Sequence, residues 1–205
     1  MVKKLTGYIS KLWLRSASLF DPVQYFFNGK FWEEFLKRFG QEAKGKIVDL
    51  ACGTGVLRSH VSPKSYLGVD INPDFIAHAK RTTRDHKTRF LVGDITRYKI
   101  SNDPDTVFFI SAAHHLADGQ LSQLTKLLKN TNIRTFILVD GRPRGIFSPV
   151  LRFLDVKFGG GECFRSPEEI VALVKPNLTV IKSGEFTARF SFYSYPYLVA
   201  TATKP

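Results

Sequence analysis

Thiols, acidic side chains and long apolar runs are all scarce in this chain of 205 residues. Its two cysteines, Cys52 and Cys163, are too few for a disulfide framework or a cysteine-rich zinc site, and such sparse use fits a reducing, cytoplasmic setting. No stretch approaches the roughly eighteen apolar residues that a membrane-crossing helix needs. The first residues are basic (Lys3, Lys4, Lys11, Arg15) with no acid before Asp21, but Lys11 and Arg15 interrupt the apolar stretch that a secretory signal requires. Acids number 18 against 30 Lys and Arg, a net charge of +12, which points to an anionic partner, either nucleic acid or a lipid surface. Low-complexity bias is missing too. The length suits one domain with an ordinary core, and eighteen phenylalanines indicate an aromatic-rich core or an apolar pocket.

From residue 46 onward, segments with strand character alternate with segments of helical spacing, the signature of a mostly parallel sheet covered on both faces. Strands are expected over 46–51, 65–71, 88–95, 106–112 and 134–140. Helices are expected over 55–61 and 73–85, and a third, capped by Asp118, is expected to run to about 130. Further helices start at Ser148-Pro149 and at Ser166-Pro167-Glu168-Glu169, the latter a capping box with proline in the first turn. Two β-rich stretches, 179–186 and 195–203, read as an antiparallel pair. Leu5, Ile9, Leu12, Trp13, Ser16 and Phe20 follow helical spacing and make the cationic N-terminus amphipathic. The chain therefore reads as one domain over 1–205: an N-terminal helical lid (1–45), a ligand-binding core (46–140) and a substrate-side segment ending in a β-hairpin (141–205).

Asp49-Leu50-Ala51-Cys52-Gly53-Thr54-Gly55 follows the first strand and opens a helix, so small residues admit a ligand to the backbone beside a helix N-terminus. A dinucleotide fingerprint needs a third glycine where this chain has Arg58, and the Gly-Lys-Ser/Thr of a phosphate-gripping loop is absent. What fits is a nucleoside-bearing ligand without a pyrophosphate. Asp70, twenty-one residues after Asp49 at the end of the second strand, suits ribose hydroxyls; Asp94, ending the third strand, suits an exocyclic adenine amine. Acids at three successive strand ends lie along the carboxyl edge of the sheet, where open α/β folds bind ligands. Each feature alone is common as a turn or a helix cap; their joint order is what carries the reading.

These residues resemble the class I S-adenosylmethionine-dependent methyltransferases, in particular the small group related to quinone-biosynthesis enzymes. The resemblance rests on Val48 to Gly55, on Gly68-Val69-Asp70-Ile71, on Gly93-Asp94-Ile95 and on Phe109 to Leu116. It covers about residues 46 to 140. It implies a Rossmann-like α/β fold whose seven-stranded, mostly parallel sheet runs 3-2-1-4-5-7-6 with the last strand antiparallel. It implies S-adenosyl-L-methionine as cofactor: Asp49, Ala51, Gly53 and Gly55 toward the methionine part, Asp70 on the ribose, Ile71 on an adenine face, Asp94 and Ile95 at the adenine edge, and Ser111 beside the fourth motif.

Methyl transfer from a sulfonium runs mainly on alignment, and a base serves only nucleophiles with a proton to lose. His114 and His115 follow the fourth strand, and His115 is the first candidate because the family's His-Leu pairing matches His115-Leu116; helix capping is the bland reading of either. Tyr25 is a weaker acceptor-side candidate, better read as a core aromatic. Asp140 could face substrate or order a loop. Arg142, Arg144 and Arg165 could grip an anion, with solvated surface as the default. No Asn-Pro-Pro-Tyr, Asp-Pro-Pro-Tyr or Pro-Cys follows the fourth strand, which argues against adenine, glutamine and cytosine C5 methylation. No acid ends that strand, so no metal is expected.

The expected activity is methyl transfer to a small, partly apolar or lipid-linked, anionic acceptor, with peripheral contact to an anionic membrane as a further expectation. The alternatives are an RNA methyltransferase, motivated by Lys80, Arg81, Arg84, Lys87 and Arg89, and a cofactor-binding scaffold that has lost catalysis. The core segment is nearly balanced, with twelve basic and nine acidic groups over 47–140; nine basic and four acidic groups precede it, and nine and five follow. The excess therefore lies mostly in the flanks that this architecture uses to cover its acceptor.

Overall fold

The computed structural model describes residues 17–100, 103–154, 156–157 and 161–202. The expected amphipathic segment before Ala17 lies outside the described residues. Helices α1 (Ala17–Asn28) and α2 (Phe31–Phe39) lead into strand β1 (Lys46–Leu50). Then come α3 (Val56–His60), β2 (Ser65–Asp70), α4 (Pro73–Thr82), β3 (Thr88–Val92) and β4 (Thr106–Ile110). A 3-10 turn (Ala113–His115) precedes α5 (Asp118–Lys129), β5 (Thr135–Val139), the two-residue β6 (Arg142–Pro143) and α6 (Ser148–Leu154). The chain closes with α7 (Pro167–Val174), β7 (Thr179–Thr187) and β8 (Tyr193–Thr201).

The sheet runs β3-β2-β1-β4-β5-β8, with β7 and the short β6 also on β8. β1 to β5 are parallel and β8 is antiparallel to β5, so setting β6 aside leaves the expected 3-2-1-4-5-7-6 order. Alternation along the central strands divides the core. Val48, Leu50, Val107, Phe109, Phe136 and Leu138 pack against α5 and α7 through Leu121, Leu124, Leu128, Ile170 and Val174. The opposite face takes the aromatics: Phe31, Phe35, Phe39, Tyr66, Phe90, Phe108, Phe186 and Tyr195. Each fully buried ring contributes about 1.5–3 kcal/mol from area alone.

Helix α2 explains much of that phenylalanine usage. Phe31, Phe35 and Phe39 recur every four residues and are all buried, while Glu33 and Glu34 open the helix and Lys37 and Arg38 end it, matching the helix dipole. This helix is core, and α1 is the element that reaches the glycine turn after β1. Both caps behave as their residues dictate: Asn72 accepts from Asp74 N at 2.9 Å, and Ser166 and Glu169 bond reciprocally. Helix α4 stops at Thr82, short of the expected Asp85, because Asp85 accepts instead from Arg58, Lys87 and Thr88. Among the described residues no helix is long and apolar enough to cross a membrane.

Candidate active site

Strands β1, β2 and β4 end at one edge of the sheet, and the backbone just beyond them is held in unusual conformations. Ala51 (φ 55°) follows β1 and Ser111 (φ 53°) follows β4, both left-handed without being glycine. Such residues cost energy, and clusters of them mark ligand clamps and reaction centres. The turn after Ala51 continues through Gly53 (φ 54°) and Gly55 (φ 83°) into α3. A side chain at Gly53 would point into open space, whereas one at Gly55 would meet the Phe90 ring 2.9 Å away. Gly53 thus leaves the cradle open and Gly55 lets the helix close on the sheet. Cys52 Sγ and Phe90 likewise fill the place of a side chain at Gly68, at 2.7 and 2.6 Å.

The three acids sit in three different environments. Asp49 is buried on the aromatic face, where Tyr66 Oη donates to its Oδ2. Desolvation pushes its pKa up to about 7 against the opposing Tyr66 hydrogen bond, with the Asp70 charge adding to the rise. Asp70 accepts from Gly53 N and Asn72 N, both at 2.8 Å, so its carboxylate ties the glycine turn to the end of β2. Burial raises its pKa while those backbone donors hold it down. Asp94 is more open: Thr96 N and Oγ1 both donate to its Oδ1, lowering its pKa, and Arg97 Nε stands 3.7 Å from Oδ2. Ile71, directly after Asp70, is 70% exposed, while Ile95 spends its side chain on the core. An open glycine turn, a carboxylate at its side and an exposed aliphatic face next to it fit an adenosyl ligand that carries an amino acid.

An Asp49 that binds a proton only when folded has a measurable consequence. Between about pH 4 and 7 the native chain keeps a proton that the unfolded chain has released, so this group makes stability fall as pH rises through that window. Urea titrations across it are expected to show a shallower slope for Asp49→Asn; an unchanged slope would assign the titration to another group.

Past Ser111, the 3-10 turn places His114 against Asp140, the residue that follows β5. His114 Nδ1 lies 2.7 Å from Asp140 Oδ1, and Asp140 is almost fully buried. Phe164 stacks on the His114 ring (5.3 Å, 10°), His115 packs at 4.2 Å, and a Cβ on Gly161 would overlap the ring. His114 O also accepts from Glu162 N and Cys163 N. His115, the first candidate from sequence, is exposed; His114 is the one that holds the carboxylate. Their pairing joins positions 26 apart through the parallel register Ile110–Val139.

Two contacts were not legible as site features. Thr54 Oγ1 donates to Asp21 Oδ1 at 2.7 Å, so α1 lies across the glycine turn. Tyr66 reaches Asp49 from the neighbouring strand, a partner that spacing alone does not reveal.

The basic candidates resolve differently. Arg165 is buried, with Nε and Nη2 on Asp118 Oδ1 at 3.0 and 2.7 Å and further bonds to the Ala113, Leu116 and Cys163 carbonyls. Its donors are spent on the chain, which corrects the expectation of an anion grip. Arg142 pairs with Glu185 at 2.8 Å. Tyr25 is exposed, not a core aromatic. Arg165→Met strands the buried carbonyls and is expected to destabilise the fold by about 3 kcal/mol, read by chemical denaturation.

Residues 47–131 match the family model described as a methyltransferase domain. No curated protein sequence matches the chain. Among solved structures, DhpI in complex with SAH aligns with a TM-score of 0.71 at 17% identity, over 98% of this chain and 98% of that one. Magnesium protoporphyrin IX methyltransferase (ChlM) from Synechocystis, with bound SAH, aligns at 0.63 and 19% identity, over 88% and 87% of the two chains. An S-adenosylmethionine-dependent methyltransferase from Clostridium acetobutylicum aligns at 0.67 and 13%, over 90% and 98%. Residues 47–131 thus match a methyltransferase domain model, and the chain as a whole shares the fold of these methyltransferase structures.

Proposed function

We propose that this protein transfers the methyl group of S-adenosylmethionine to a small, partly apolar or lipid-linked acceptor that carries negative charge, and that His114 takes the acceptor's proton. The observation that carries the reading is the buried Asp140 held 2.7 Å from His114 on the edge where the glycine turn opens. When bound, the cofactor supplies a methyl group on a sulfonium, a leaving group that needs no acid. Asp140 would hold the ring with the proton on Nδ1, so that Nε2 is the atom that takes the acceptor's proton, and its charge would stabilise the cation that forms. Asp70 would bond the ribose hydroxyls while it orders the turn, Ile71 would cover one adenine face and Asp94 would take the adenine amine. Asp49 would take the ligand's amino-acid end, and an ammonium group there would favour its ionised form. Ala51, Gly53, Gly55 and Ser111 shape the backbone on which the ligand rests.

The excess positive charge of the flanks supports an anionic acceptor. RNA is disfavoured by placement. Lys80, Arg81, Arg84, Lys87 and Arg89 are exposed at the end of α4 and the start of β3, whereas the site opens where the parallel strands end. Incubation with methyl-labelled cofactor and fractionated extracts tests the proposal: label in acidic small molecules or lipids is expected, and label confined to RNA would overturn it.

A further inference from the structure

The apolar residues of α6 and of the turn before it point the wrong way for a soluble helix. Leu151 is buried, while Ile146 (86% exposed), Phe147, Val150 and Phe153 face water at near-helical spacing. Two other segments add to this surface. Phe192, in the loop between β7 and β8, has its ring 6.1 Å from Phe147 and 6.2 Å from Phe26 of α1, whose neighbour Tyr25 is also exposed. In the same loop Phe190 is 70% exposed at φ 63°. A left-handed phenylalanine costs on the order of 1 kcal/mol or more, so the surroundings hold this side chain outward. They do so through Lys30 N on Arg189 O (2.9 Å) and Phe192 N on Phe27 O (3.1 Å). Isolated exposed apolar residues are ordinary, but a surface built by three segments marks an interaction site.

Its charge selects the partner. Arg144, Arg152 and Lys157, in or flanking α6, and Arg189 in the 189–192 loop are all exposed, with the Arg189 guanidinium 4.9 Å over the Phe190 ring. Asp155 is the one acid in the sequence from 141 to 161, and Asp21 of α1 is engaged by Thr54. The surface also adjoins the reaction centre. Arg152 lies 5.1 Å over the Phe164 ring that stacks on His114, and α1 crosses the glycine turn.

We infer that α1, α6 and the 189–192 loop form a docking face for an anionic phospholipid bilayer, with the aromatic and aliphatic side chains in the interface and the arginines among the headgroups. Delivery of a membrane-soluble acceptor to His114 through this face rests on the methyl-transfer reading; the docking does not. Phosphatidylcholine vesicles with and without phosphatidylserine, floated with the full chain, provide the test. Retention is expected only with phosphatidylserine and is expected to fall with salt. Phe190→Ser and Phe147→Ser are each expected to weaken it about tenfold. Arg144→Glu with Arg189→Glu is expected to abolish it, and Ile181→Ser on the outer strand β7 to leave it unchanged. No retention, or equal retention on neutral vesicles, overturns the inference. So does RNA binding without vesicle binding, or a dimer that Phe190→Ser dissociates in the absence of lipid. Methyl transfer to a detergent-dispersed acceptor reads the catalytic proposal separately, because it requires no bilayer.

Discussion

Replacing His114 by alanine is expected to lower kcat by about 10²–10⁴-fold, the usual contribution of a positioned general base, with cofactor affinity nearly unchanged. His114 also braces the chain: its ring lies under Phe164 and against Gly161, next to the point where its backbone carbonyl, kept in any variant, accepts from Glu162 N and Cys163 N. The alanine variant alone would therefore confuse loss of a base with loosening of the 161–164 segment. His114→Gln separates the two, since a glutamine amide can still bond Asp140 but cannot take a proton in the working pH range. If His114 is the base, the glutamine variant is as slow as the alanine one and loses the acidic limb of the kcat pH profile. If its role is only to brace, glutamine restores the rate. Asp140→Asn should resemble His114→Gln in kcat, because an asparagine amide facing Nδ1 can turn the tautomer and place the hydrogen on Nε2. His115→Ala is expected to change kcat by no more than a few-fold. A full-rate His114→Gln enzyme would overturn the proposed role.

How far the site was legible from sequence follows from the range of the interactions. Local chemistry carried through: the Asn72 and Ser166 caps, the small-residue turn after β1 and the acids at strand ends are all written within a few neighbouring residues. Short runs of strand character set between segments of helical spacing were enough to place the parallel strands and, with the family resemblance, their order. Interactions that depend on register were not legible. Tyr66 meets Asp49 because β2 lies beside β1 with Asp49 opposite Gly68, and Asp140 meets His114 because β5 lies beside β4. Arg165 looked like surface because a charged residue in a loop is usually solvated, yet its guanidinium fills a space walled by carbonyls. Asp118 was read as a cap. It is instead the first residue of α5, behind Ala117 and Gln120, and its carboxylate is taken by Arg165. Helix α2 is the exception within 1–45, since phenylalanine every fourth residue is the plain pattern of a buried face and not of a cover.

Asp70→Ala is expected to weaken S-adenosylmethionine binding by about 100-fold. Two charge-assisted hydrogen bonds to ribose hydroxyls contribute about 3 kcal/mol in a partly buried site, which corresponds to that factor. The same substitution also removes the acceptor for Gly53 N and Asn72 N. Part of the loss would therefore arise from a turn that is no longer held, and the apo protein should lose about 1–3 kcal/mol of stability. The two contributions separate when the ligand is changed. The cofactor and an analogue lacking both ribose hydroxyls should differ strongly in affinity for the parent protein and little for Asp70→Ala, whereas a disordered turn would weaken both ligands equally in the variant and preserve their ratio. Calorimetric titration of the four combinations gives the coupling between carboxylate and hydroxyls directly. A ratio that survives the substitution would remove Asp70 from the ribose and leave it as the tie between the glycine turn and β2.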